Sequence, residues 1–96
     1  MENQHRKISG YRELDQTEID LMNEIKSLGI QMEGVLVKVS EHIRVQESKI
    51  GTYEESMNSR SRLDNATPER FLALAKTEFQ TGLMYATRAV AQPESF

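Results

Sequence analysis

The chain has 96 residues, 38% of them hydrophobic and 28% charged, which sets one small domain with a thin core as the expectation. The net charge of −3 argues against general binding to nucleic-acid polymers, which calls for a broad cationic surface, but leaves room for a small anion in a local basic pocket. There is no cysteine, so disulfide frameworks and thiolate chemistry are excluded. No apolar run approaches the roughly 20 residues that span a bilayer, and the polar N-terminus lacks the apolar core of a secretory signal.

Residues 1–16 carry little periodicity and read as an arm. Its centre, His5-Arg6-Lys7-Ile8-Ser9-Gly10-Tyr11-Arg12, combines cations, an imidazole, a hydroxyl, a bendable glycine and an aromatic ring. Cations beside a π-face suit a ligand that carries both phosphates and bases. The same composition also describes a solvated basic arm, so both readings stand at this point.

Residues 17–57 are expected to form one long helix. Thr17 followed by Glu18 and Asp20 resembles a capping box, with acidic groups at the positive end of the helix dipole. One register then runs at alternating steps of three and four: Met22, Ile25, Gly29, Met32, Leu36, Val39, Ile43, Gln46, Ile50, Tyr53 and Met57, with Gln46 its one polar member. That is a seam with a period near 3.5 residues. Glu24, Lys38, Glu41 and Arg44 fall on the polar face, while Leu21, Leu28, Ile30, Val35, Val37 and Val45 widen the apolar stripe. A helix apolar on more than one face needs more than one partner, so other subunits are expected to cover the surplus. Gly29 and Gly34 each cost about 1 kcal/mol relative to Ala in a helix interior, and mark a kink or a close approach of another backbone.

Residues 58–67, rich in Asn, Ser and Asp, are expected to connect, with Arg60 and Arg62 as solvated loop charges. Thr67-Pro68-Glu69 starts a second helix over 68–91, with Thr67 as cap and Pro68 at the first helical position. Phe71, Leu72, Ala75, Phe79, Leu83, Ala86 and Val90 form its stripe. Pro93 stops it, and a tail over 92–96 ends at Phe96. The fold class is all-α: a long helix and a shorter antiparallel helix, a helical hairpin that assembles further.

Enzyme signatures are weak, and no cofactor or metal is expected. His5 and His42 lie far apart, and His42 reads as a structural histidine beside the seam. No metal-ligand spacing, phosphate-cradling glycine loop or marked acid–base carboxylate pair is present in the sequence.

Two blocks carry a resemblance. The first is Ile8-Ser9-Gly10-Tyr11-Arg12-x-Leu14 with Glu18-Ile19-x-Leu21-Met22-Asn23-x-Ile25-Lys26. The second is Ala75-Lys76-Thr77-x-Phe79-Gln80-Thr81-Gly82-x-Met84, continuing through Thr87-Arg88-Ala89-Val90-Ala91-Gln92-Pro93. Together they resemble the second type of phage-encoded anti-CBASS sponge. The resemblance implies an interlocked homohexamer that holds cyclic dinucleotides without cleaving them, so that CBASS effectors stay inactive during phage infection. It places a base-stacking ring at Tyr11 and a phosphate contact at Lys26. Arg12, Ser9, Gly10, Arg6, His5, Met22, Asn23 and Phe96 are the expected further contacts, because one ring and one lysine cannot supply the about −12 kcal/mol of nanomolar binding. It also implies a separate cyclic trinucleotide site, for which Lys76, Thr77 and Gln80 are the candidates. Lys76 would act there as a point charge, without the bidentate fork of an arginine. The expected partners are cyclic di- and trinucleotide signals and further copies of the chain, with neither a membrane nor a DNA or RNA polymer. The expected location is the cytoplasm of the infected bacterial host. A helical adaptor or structural phage protein without a small ligand is the alternative, since it accounts for the seam equally well.

Overall fold

The computed structural model describes residues 13–50 and 54–95, with side chains from 57 onward in the second stretch. Three α-helices follow in order: α1 over Gln16–Ser48, α2 over Glu54–Ala66 and α3 over Pro68–Ala91. The described residues contain no strand, so the protein is all-helical, with one long helix and a second helical arm broken into α2 and α3.

The start of α1 is capped two residues earlier than the sequence suggests. Asp15, not Thr17, is the cap: its Oδ1 accepts the Glu18 N–H at 2.9 Å, and Glu18 Oε1 accepts the Asp15 N–H at 2.9 Å. This is a reciprocal capping box in which an aspartate replaces the usual hydroxyl. The Asp15 carbonyl then takes the first helical bond, from Ile19 N–H at 3.0 Å. Gln16 Nε2 donates to Asp20 Oδ1 at 2.8 Å and closes the first turn from outside.

The end of α1 also departs from the expectation of a helix reaching 57. Ser48 Oγ donates to the Val45 carbonyl at 2.7 Å. Lys49 and Ile50 donate their N–H groups to the carbonyls of Gln46 and Glu47, at 3.3 and 3.2 Å. These bonds span three residues rather than four, the tightening typical of a helix end. Met57 therefore does not continue the α1 seam; it lies on α2 and is 59% exposed. Tyr53 falls outside the described residues.

Residues 58–66, expected as a connection, are helical instead. Asn58, Ser59, Ser61, Asp64 and Asn65 have weak helix propensity, which misled the sequence reading. Tertiary burial overrides it: Leu63 is 5% exposed, one of two buried residues among those described. Arg60 and Arg62 are exposed on a helix, not a loop. Arg60 lies 4.0 Å from Asp64 in an exposed pair one turn apart, a weak contact at this exposure.

Thr67 separates α2 from α3 with φ 43°, in the left-handed region. Pro68 has no N–H and so cannot continue the ladder of α2. The Thr67 N–H still bonds the Leu63 carbonyl at 3.0 Å, while the Thr67 carbonyl accepts Arg70 and Phe71 N–H groups at 3.1 and 3.3 Å. One residue thus closes one helix and opens the next. At the other end of α3, Gln92 takes φ 49° and donates to the Arg88 carbonyl at 2.8 Å. This is the single-bond left-handed cap, followed here by Pro93.

The chain divides into two compact units, one of residues up to Ile30 with Phe79 onward, the other Gln31–Glu78. In the first unit the beginning of α1 packs with the end of α3. Met22, Ile25 and Gly29 of α1 and Leu83, Ala86 and Val90 of α3 are all half-buried there. A Cβ at Gly29 would meet Leu83 Cδ1 at 3.0 Å, so this glycine admits a side chain from the facing helix. In the second unit the remainder of α1 packs with α2 and the beginning of α3. Met32, Leu36 and Ile43 of α1 and Leu72 and Ala75 of α3 are shielded, with Ile43 5% exposed.

The seam matches the burial pattern along α1, except that Val39 is 39% exposed. Glu24, Lys38, Glu41 and Arg44 are exposed on the polar face. In α3 the stripe loses Phe71, which is 57% exposed rather than buried, and Phe79 stands at 38%.

Asp15→Ala is expected to lower unfolding free energy by about 1 kcal/mol through loss of the cap. Thermal melts at fixed protein concentration should show a Tm drop of about 4–8 °C. Gly29→Val is expected to cost about 1–3 kcal/mol by overpacking against Leu83. Combining it with Leu83→Ala in a double-mutant cycle should return a non-additive term of at least about 0.5 kcal/mol; additive losses would mean the two positions do not meet.

Candidate functional site

Of the residues proposed for the cyclic dinucleotide, the described structure places three. Met22, Asn23 and Lys26 lie on α1 in the first unit. Lys26 follows Met22 by four residues and Asn23 by three, so the three side chains share adjoining turns of one face. Met22 is half-buried at the seam, while Asn23 and Lys26 are exposed. The face therefore runs from an apolar edge through an amide to an ammonium group. Ile30, one turn beyond Lys26, adds an apolar surface that is 63% exposed. The sequence reading treated Ile30 only as surplus; its i,i+4 spacing from Lys26 was the signal that it belongs to this face.

An ammonium offers three donors and a point charge, so it serves a phosphate oxygen without dictating its orientation. The asparagine amide both donates and accepts, which suits a base edge or a sugar hydroxyl. An exposed branched side chain nearby suits the apolar face of a base. His5, Arg6, Ser9, Gly10, Tyr11 and Arg12 lie outside the described residues, and so does Phe96.

Lys76, Thr77 and Gln80 are exposed on α3. Thr77 and Gln80 are three residues apart and neighbours on the helix surface. Lys76 precedes Thr77 by one residue, which turns it about 100° away. A guanidinium lies closer in direction to Thr77. Arg70 precedes Thr77 by seven residues, so the two point within about 20° of one another along α3. Arg70 Cζ sits 5.5 Å from the centroid of the exposed Phe71 ring. Such a pair offers a positive fork and a π-face to solvent, and is worth about 0.5–1 kcal/mol by itself. Sequence reasoning missed Arg70 because Phe71 was assigned to the buried stripe. The adjacency of an arginine and a ring in the first turn of a helix was the signal available.

Among the described residues no group of three or more His, Asp or Glu side chains is placed to hold a metal ion. His42 is exposed on α1 rather than packed. No described helix is long and apolar enough to cross a membrane.

An all-helical chain that presents Asn23 and Lys26 on an exposed flank of its long first helix defines the class. Residues 6–91 match the family described as the Acb2/Tad1 hairpin domain, and the chain belongs to that family. It is 42% identical to Anti-CBASS protein 2 of Pseudomonas phage JBD67, over 98% of this chain and 98% of that protein. The resemblance carried by the Tyr11 and Lys26 blocks thus extends over nearly the whole sequence.

Exposed polar side chains without packing roles contribute little to folding. Lys26→Ala and Lys76→Ala are expected to leave unfolding free energy within about 0.5 kcal/mol of the parent in urea titrations. A larger loss would show that these lysines serve the fold rather than a ligand.

Proposed function

We propose that this protein acts against CBASS defence as a non-catalytic sponge, binding cyclic dinucleotides and withholding them from their effectors. The observation that carries this reading is Lys26, exposed beside Asn23 on α1 at the position where the family motif places its phosphate contact. The near full-length similarity to a protein named for anti-CBASS action supports the same direction. Tyr11 stacks on a base in this reading, and Lys26 holds a phosphate. His5, Arg6, Ser9, Gly10, Arg12, Met22, Asn23 and Phe96 complete the contacts. The site does not cleave: its role is to bind tightly, and none of these roles asks for a proton to be moved.

A cyclic trinucleotide takes a separate site on α3. Thr77 and Gln80 supply polar contacts there, and Arg70 supplies the guanidinium that Lys76 cannot imitate. Phe71, exposed under Arg70, provides the ring. The protein acts in the cytoplasm of the infected host, where the signals are made.

The chain works as a homo-oligomer, a hexamer in the family pattern. Thirteen large apolar side chains are exposed, against only Ile43 and Leu63 buried among the described residues. Each large apolar side chain taken from water contributes roughly 1.5–3 kcal/mol, so covering even part of this surface stabilises the fold substantially. Gly34 points the same way. Among the described residues nothing lies within 4 Å of a Cβ built on it, so their packing gives no reason for a glycine in mid-helix. A neighbouring helix that approaches closely does.

Capture and release tests the function directly. The purified chain is mixed with a panel of cyclic di- and trinucleotides, filtered, and heat-denatured, and the returned species are identified. Intact ligand in stoichiometric yield is expected. Linear products would make the protein an enzyme, and no retention at all would favour the adaptor reading. Tyr11→Ala and Lys26→Ala are each expected to weaken cyclic dinucleotide binding by roughly 10- to 100-fold, in line with about 1–3 kcal/mol per stacked base or charge-assisted contact. Arg70→Ala is expected to weaken trinucleotide retention alone; unchanged retention would remove Arg70 from the site. Gly34→Leu is expected to reduce the mass measured by light scattering, although leucine is the better helix former. An unchanged mass with a higher Tm would leave that face open.

A further inference from the structure

We infer that α2 is an independently opening strap, latched to its unit by Leu63 and jointed at Thr67–Pro68. Three observations carry this. First, the described side chains of α2 include one anchor. Of its residues from Met57 to Ala66, Leu63 alone is buried and Ser59, one turn earlier, is half-buried; all the others are exposed. Second, α2 has little helical stability of its own. It is 13 residues long, near the length at which an isolated helix is marginal in water. Its serines, asparagines and aspartate compete with their own backbone for hydrogen bonds. The Arg60–Asp64 pair is too exposed to offset this.

Third, the joint isolates α2 from α3. Pro68 has no N–H to bond back into α2, and α3 begins on the Thr67 carbonyl. Opening α2 breaks its own ladder and the Thr67 to Leu63 bond, yet leaves the Arg70 and Phe71 bonds to Thr67 in place. Thr67 is β-branched and held at φ 43°, a conformation such residues rarely adopt. Release of α2 frees Thr67 from that geometry, which favours opening at this joint over melting into α3. Segments with few buried apolar contacts open at a lower free energy than the rest of the molecule.

Hydrogen exchange on the full chain, followed by mass spectrometry of peptides, tests the inference. Amides of 58–66 are expected to exchange about 100-fold faster than those of 32–46 in α1 and 72–90 in α3. Leu63→Ala is expected to speed exchange in α2 at least tenfold further. Because that variant disturbs the small core, Ser61→Ala provides the second arm. It strengthens an exposed helical position and should slow α2 alone by several-fold, with α1 and α3 unchanged. Equal protection in all three helices, or a Ser61→Ala effect shared by all three, would show that α2 opens only with the whole molecule and would overturn the inference.

Discussion

The half-buried row that starts at Met22 and runs through Ile25, Gly29, Met32 and Leu36 to Ile43 is the contact on which the remaining structure depends. A row with a 3.5-residue period can hold the two segments of a hairpin arm along its length, but it covers only a narrow stripe of α1. The first unit uses it with the end of α3, where Gly29 lets Leu83 in. The second uses it with α2 and the start of α3, where Ile43 and Leu63 are buried. Two buried side chains make a slender core among the described residues. Small domains bury too little surface to be comfortable alone, and Leu28, Ile30, Val35, Val37 and Val45 remain in water along the same helix.

The proposed assembly and the proposed binding site answer to one physical condition. Lys26 and Asn23 lie on a flank of α1 that the hairpin arm leaves uncovered, with Ile30 exposed one turn away. A flank that packs against none of the described residues is free to carry chemistry. It offers few groups by itself, and a small anionic ligand with two bases calls for several. In the proposed reading, a site assembled from more than one segment resolves that shortage and lets a net acidic chain hold an anion: the cations need be concentrated only locally.

Much of this was legible in residue spacing. The α1 seam, the polar face of Glu24, Lys38, Glu41 and Arg44, and the stripe of Leu72, Ala75, Leu83, Ala86 and Val90 in α3 follow from periodicity, because burial on a helix repeats with its turn. The family was legible in the ordered blocks around Tyr11, Lys26 and Lys76. The cap of α1 was misread because Thr17 and Asp15 are both good caps, and only the reciprocal bonds with Glu18 separate them. Residues 58–66 were misread because their composition favours turns, while the burial of a single leucine, Leu63, favours the helix. Arg70 escaped notice because Phe71 was counted as core, and exposure of a ring cannot be read from its identity.

By itself the sequence determined the helical class, the seam, the proline start of α3 and membership in the family. These depend on local geometry: a 3.6-residue turn, a missing N–H at Pro68, and the order of side chains along the chain. Only the tertiary structure decided where α1 ends, that α2 is a helix at all, and that Thr67 takes the left-handed joint between two helices. The second and third of those outcomes turn on whether burying Leu63 outweighs the poor helix propensity of its neighbours. Propensity is a property of each residue, whereas burial belongs to the partners that the fold brings to it.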